Sequence, residues 1–312
     1  MRIRRSMAVV GSMLAALTVG GPGVSTAASG PPAAAALDRC PERASVTVFR
    51  EGGIPLLDWR ENLEFDGRGT LWVSHVTKHR VEGYAPDGTL RTSFAVPGAG
   101  GIRRGPDGMM YVNFGVNQLT PHGGIMRFDP AAAQPRPEKV VEGISGINGL
   151  AIDAAGNFYV SRELATGVLK FRPDGTKDEE WTRKANVFGT NGLEIVGDQL
   201  YASVITDTAS PVVRIPLNDP ARHTRVVELS PNPLKLKLLD DLTYFRDELV
   251  VASFRDGELI RVDPATGRSC VLVSGLRMPS SVRVARGFGD HDPRRDLFVV
   301  EASGRVLRVT VG

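Results

Sequence analysis

The chain has 312 residues, of which 42% are hydrophobic, 23% charged and 6% aromatic, a composition that excludes a disordered or fibrous protein. Its 35 Gly and 21 Pro, scattered among short apolar runs, favour many brief strands over long helices. The formal net charge of +3 is carried by the first few residues, so it argues for neither nucleic acid nor an anionic membrane as partner.

Those first residues read as a signal peptide over 1–28. Arg2, Arg4 and Arg5 precede an uncharged apolar stretch from Met7 to Val19, and small residues follow as far as Ala28. The apolar stretch is short for a bilayer span, and an extracytoplasmic or secreted destination is expected. Removing this segment leaves 35 basic against 35 acidic residues. Residues 29–43, rich in Ala and Pro at their start, read as a flexible leader. Cys40 and Cys270 are the two cysteines of the chain, and in an oxidising compartment the expectation is a Cys40–Cys270 disulfide. The long loop it closes assigns it about 4 to 5 kcal/mol on chain-entropy grounds.

From residue 44 onward the sequence repeats. Glu61-Asn-Leu-Glu-Phe-Asp, Asn148-Gly-Leu-Ala-Ile-Asp and Asn191-Gly-Leu-Glu-Ile-Val share one template, and Gly100-Gly-Ile-Arg-Arg-Gly, Asp240-Asp-Leu-Thr-Tyr-Phe and Ser280-Ser-Val-Arg-Val-Ala fit its register. Each copy is followed by an apolar run such as Leu71-Trp-Val-Ser or Phe158-Tyr-Val-Ser. The first positions, 61, 100, 148, 191, 240 and 280, are spaced by about 44 residues on average, one propeller blade per step. Asp66-Gly-Arg-Gly, Gly105-Pro-Asp-Gly and Asp153-Ala-Ala-Gly-Asn supply hairpins between first and second strands. Ala85-Pro-Asp-Gly, Arg172-Pro-Asp-Gly and Asp263-Pro-Ala-Thr-Gly do so between third and fourth. The expected fold is all-β, a six-bladed propeller of four-stranded antiparallel blades over 44–312. Ala44–Phe49 would supply the outer strand of the last blade and close the ring.

In such a ring the first strand of every blade lines the central channel, so the template's first positions converge. Glu61, Asn148, Asn191 and Asp240 then offer oxygen donors at one level, where two carboxylates without a counter-charge would repel and a divalent cation would satisfy both. Oxygen donors without His or thiolate suit Ca²⁺, with Mg²⁺, Mn²⁺ or Zn²⁺ as other candidates, and a structural zinc site is disfavoured. The bland alternative is that these Asn and Asp residues cap turns.

This pattern resembles the senescence marker protein/gluconolactonase/luciferin-regenerating-enzyme family over about Val48 to Gly312. The resemblance implies a channel metal held by Glu61, Asn191 and Asp240, with Asn148 as a further substrate-side group and Asp240 doubling as general base. It implies hydrolysis of lactones or related esters through a metal-polarised carbonyl and an activated water. Asp240-Asp241 stands where the family commonly has Asp-Gly, leaving either acid open as the ligand. Gly146 stands where sugar-lactone members carry Arg. His75, directly after the second strand of blade one, could reach the channel mouth as a substrate-side group or could simply be solvated. The Asp290–Asp296 stretch reads as a charged hairpin, not an EF-hand loop. The competing readings are a non-catalytic propeller with a structural channel metal and a condensing enzyme of the strictosidine synthase type. A small-molecule substrate and a monomer are the expected partner and state, with no nucleic acid or membrane partner.

Overall fold

The computed structural model describes residues 37–116, 122–165, 167–232 and 234–312. The expected signal peptide and the first part of the leader lie outside these residues. The described chain forms six antiparallel sheets arranged as the blades of a propeller. Their innermost strands are Arg60–Phe65, Ile102–Arg104, Ile147–Ile152, Thr190–Val196, Leu239–Phe245 and Pro279–Val284. Each sheet runs in simple sequential order from this strand outward, except that blade six takes its outermost strand, Ala44–Arg50, from the start of the fold. Ala44 pairs with Val311 and Val48 with Leu307, so a strand ahead of blade one and the last strand of the chain meet in one sheet and close the ring.

The hairpins follow from the residues the sequence places in them. Asp66 Oδ1 accepts the backbone N–H of Arg68 and Thr70, and Asp153 Oδ1 does the same for Ala155 and Asn157. These side chains give the turn an alternative to ladder hydrogen bonds.

Blade three differs from its neighbours. Its outermost strand is reduced to a single bridge between Phe171 and Lys177. A short helix, Glu179–Lys184, takes over, capped by Asp178 and carrying acids in its first turn and bases in its last. That helix buries Trp181 against Tyr159.

Apolar side chains fill the wedges between blades. Phe65, Phe288 and Phe298 pack between blades one and six, joined by Phe49 from the closing strand. Trp72, Ile102, Met110 and Phe128 do the same between blades one and two. Each such fully buried side chain contributes about 1.5 to 3 kcal/mol of transfer free energy. Cys40 and Cys270 form the expected disulfide, with Cα atoms 5.0 Å apart. Residues 37–43 are held against the outer strand of blade five, Ser269–Val273. The Cys40 N–H donates to Val271 O, and the Val271 N–H donates to Asp38 O. No helix among the described residues is long and apolar enough to cross a membrane.

Candidate metal and substrate site

The innermost strands share an irregularity that decides where their side chains point. In five blades the pairing with the second strand shifts register at the start: between Arg60 and Asn62, Ile147 and Leu150, Thr190 and Leu193, Leu239 and Leu242, and Pro279 and Ser281. Glu61, Asn148, Asn191, Asp240 and Ser280 all sit in these bulges, a device that turns a side chain out of the regular alternation. Asn148 and Asn191 are therefore strand residues, not turn caps. The glycine after each answers to close approach: a Cβ on Gly149 would lie 2.1 Å from Asn191 O, and one on Gly192 would lie 2.4 Å from Asp241 Cα.

In blades three and four a serine on the second strand holds the bulge in place. Ser161 Oγ accepts the Gly149 N–H and donates to Asn191 O in the next blade. Ser203 Oγ accepts the Gly192 N–H and donates to Asp240 O in the blade after that. In blade two the corresponding residue is Asn113, whose amide donates to Asn148 O. Ser161 and Ser203 satisfy backbone groups that the bulge removes from the ladder, and all three residues tie one blade's first strand to the next. Their signal in the sequence is the repeated Val-Ser, Val-Asn and Ala-Ser ending of the second strands.

At the end of the channel where the first strands begin lies a cavity of about 430 Å³. Its floor carries Glu61, Asn148, Asp240 and Glu163; its wall carries Trp59, Val76, Val116, Ile205, Leu238 and Phe254. Asn191, 2% exposed, stands beside the floor. Glu163 was not anticipated, because it follows the second strand of blade three in a loop outside the repeat. It accepts from the Asn148 amide and, at 3.4 Å, from the Asn191 amide. The Asn148 amide also acts on Glu61 and the Asn191 amide on Asp240, so the two amides link the three floor carboxylates.

The floor is strongly acidic. Burial, then the charges of Glu163 and Asp241, push Glu61 up to about 8, while the Asn148 amide and Trp59 indole pull against that rise. Burial, then Glu61, Glu163 and Asp241, carry Asp240 well above the carboxylate range, with the Asn191 amide opposing. None of the described residues lining the cavity is basic. Proton uptake is one answer to such crowding, and a hard divalent cation bound to carboxylate and amide oxygens is the other. Among the described residues no three His, Cys, Asp or Glu side chains stand close enough to hold an ion by themselves, so a cation here needs the amides as ligands too.

Asp241 is committed elsewhere. It meets Arg103 at 3.0 Å and Arg283 at 3.0 Å, and accepts from Asn62 at 2.9 Å and Ser281 at 2.7 Å. Burial pushes its pKa up, and the Arg103, Ser281 and Asn62 contacts pull against that rise. Arg283 also lines a second cavity, of about 580 Å³, at the other end of the channel. The Arg103–Asp241–Arg283 cluster thus lies between the two cavities.

The structure corrects the expectation for His75. It is the last residue of the second strand of blade one, fully buried, with Nε2 3.0 Å from Asp58 and Nδ1 3.5 Å from Glu82. Its pairing opposite Arg60 turns it into the blade, away from the cavity that its neighbours Val76 and Thr77 line.

No family model and no curated protein matches the sequence. Solved structures similar to this chain include a gluconolactonase from Xanthomonas campestris, 16% identical over 90% of this chain and 99% of that one, with a TM-score of 0.64. A luciferin-regenerating enzyme is 16% identical over 86% of this chain and 95% of its own, also with a TM-score of 0.64. Virginiamycin B lyase from Staphylococcus aureus is 9% identical over 86% and 99%, with a TM-score of 0.58. What they share with this chain is the fold. A lyase among them shows that the fold carries more than one chemistry, so function must be argued from the site.

Proposed function

We propose that the protein is a metal-dependent hydrolase of lactones or related esters. The observation that carries this reading is the buried acidic floor: Glu61, Glu163 and Asp240, flanked by two amides, in a cavity none of whose described lining residues is basic. Glu61, Asn191 and Asp240 would hold the ion, and Ca²⁺ suits their hard oxygen donors best. When bound, such an ion supplies Lewis acidity toward a carbonyl oxygen.

The chain's own residues have definite tasks. Asp240 accepts a proton from the attacking water as its oxygen bonds to the carbonyl carbon. The acyl C–O bond breaks, the departing alkoxide takes up a proton, and a hydroxy acid leaves. Asn148 orients the substrate carbonyl, and Glu163 fixes both amides. The similarity in fold to a gluconolactonase supports the reaction class, although at 16% identity it carries the fold alone. A soluble, extracytoplasmic setting fits the disulfide.

The test is calorimetry and lactone hydrolysis with chelator-stripped protein, then with Ca²⁺, Mg²⁺, Mn²⁺ or Zn²⁺ restored. Binding of one ion together with recovered turnover is expected. Full turnover in the stripped protein would reject metal dependence, and no turnover of any lactone or ester would reject the hydrolase reading.

A further inference from the structure

Resting on the hydrolase reading, we propose that the cavity takes a lactone or ester with an apolar alkyl or aryl body in preference to a polyhydroxylated one. Among the described residues the wall carries six apolar side chains, Trp59, Val76, Val116, Ile205, Leu238 and Phe254. Trp59 and Phe254 lie 5.4 Å apart at 30°, a tilted aromatic pair at its side. A sugar lactone presents several hydroxyls, each needing a partner once water is expelled. Among the described residues the one hydroxyl on the wall belongs to Thr77, and its oxygen accepts the Trp59 backbone N–H at 3.0 Å. The remaining polar groups among the described lining residues are the Trp59 indole N–H, turned to Glu61, and the floor carboxylates and amides, which face the reacting carbonyl. A hydrocarbon body leaves no polar group unmatched against such a wall.

The rim continues the pattern. Among the described residues nine large apolar side chains are well exposed. Val46, Val48 and Leu90 stand on outermost strands. The other six, Ile54, Leu56, Leu57, Leu164, Phe188 and Leu234, lie in loops that lead into a first strand or join a second strand to a third. Antiparallel order places all those loops at the end of the channel where the first strands begin, the end that holds the cavity. Exposed apolar groups gathered on one face mark a surface that meets an apolar ligand. A chain attached to the lactone ring would leave the cavity over this rim.

The experiment compares δ-decalactone and dihydrocoumarin with glucono-1,5-lactone, using the Ca²⁺-refilled protein. A preference on the order of 100-fold in kcat/KM for the apolar lactones is expected. Phe254→Ala is expected to raise KM for δ-decalactone roughly tenfold, with the smaller change in kcat. Equal or better use of glucono-1,5-lactone would overturn the inference and leave the hydrolase reading standing. Should no lactone turn over, quenching of Trp59 emission, assigned with Trp59→Phe, decides. Quenching by a six-membered lactam bearing the same alkyl chain, but not by gluconolactam, would uphold the apolar cavity while the hydrolase reading falls. No quenching by the alkyl lactam would overturn it.

Discussion

Asp240 and Asp241 are adjacent on the innermost strand of blade five, yet their carboxylates meet opposite surroundings: Asp240 joins Glu61 on the acidic floor, and Asp241 sits between the guanidinium groups of Arg103 and Arg283. The bulge at Leu239–Leu242 permits this divergence. The two Asp→Asn variants should therefore behave differently. Asp240→Asn removes one of several crowded carboxylates, so the metal-free protein should keep or gain stability while Ca²⁺ binding and turnover are lost. Asp241→Asn leaves two buried guanidinium groups undercompensated and should cost about 3 to 5 kcal/mol. Urea unfolding of both, beside calorimetry with Ca²⁺, separates these outcomes; equal destabilisation by the two variants would contradict the division of labour.

Ser203 touches no cavity, but it binds the Gly192 N–H and Asp240 O at once. Ser203→Ala strands both groups in a buried setting, which should cost about 1 to 3 kcal/mol. Because Asp240 is also displaced, Ca²⁺ affinity should fall by about tenfold or more, the scale seen when a group behind a metal ligand is removed. A variant that loses stability and binds Ca²⁺ as tightly as the parent would show that the serine serves the fold alone.

Glu194, on the innermost strand of blade four, lines the opposite cavity. Burial, then Glu64 and Asp241, push it up to about 8, against the pull of Arg103. Burial likewise carries Glu64 to about 7. Between the ordinary carboxylate range near 4.5 and these values the folded protein holds protons that the unfolded chain has released. The folded state therefore loses stability as pH rises through about 5 to 8. Glu194→Gln removes one titrating group and should reduce the slope of unfolding free energy against pH by up to one proton across that window. Unfolding curves at several pH values measure it, and an unaltered slope would show that Glu194 ionises normally.

The Cys40–Cys270 bridge spans 230 residues. It joins the chain ahead of the closing strand to blade five. Cys270→Ser should cost about 2 to 5 kcal/mol. Backbone pairing of Asp38 and Cys40 with Val271 does not by itself replace the covalent link. Thermal unfolding with and without reductant checks this, since reduction of the parent should reproduce the variant.

The propeller was written openly in the sequence, because blade repetition, hairpin glycines and strand alternation are local patterns that need no knowledge of distant contacts. Closure by Ala44–Phe49 could be read too, since the sixth repeat lacks a strand and the chain supplies one spare. The level shared by Glu61, Asn148, Asn191 and Asp240 followed from the repeat alone. What the tertiary structure decided was direction and environment. The bulges, invisible in composition, choose Asp240 over Asp241 for the cavity. Pairing opposite Arg60 draws His75 into the blade, and the loop after blade three brings in Glu163 from outside the repeat. Blade three's short helix replaces most of a strand because Asp178 and the residues after it cap and charge a helix more strongly than they pair. Periodicity fixes which residues share a level, but the partners across the channel, which set each charge and the apolar wall above it, come from blades far apart in the chain.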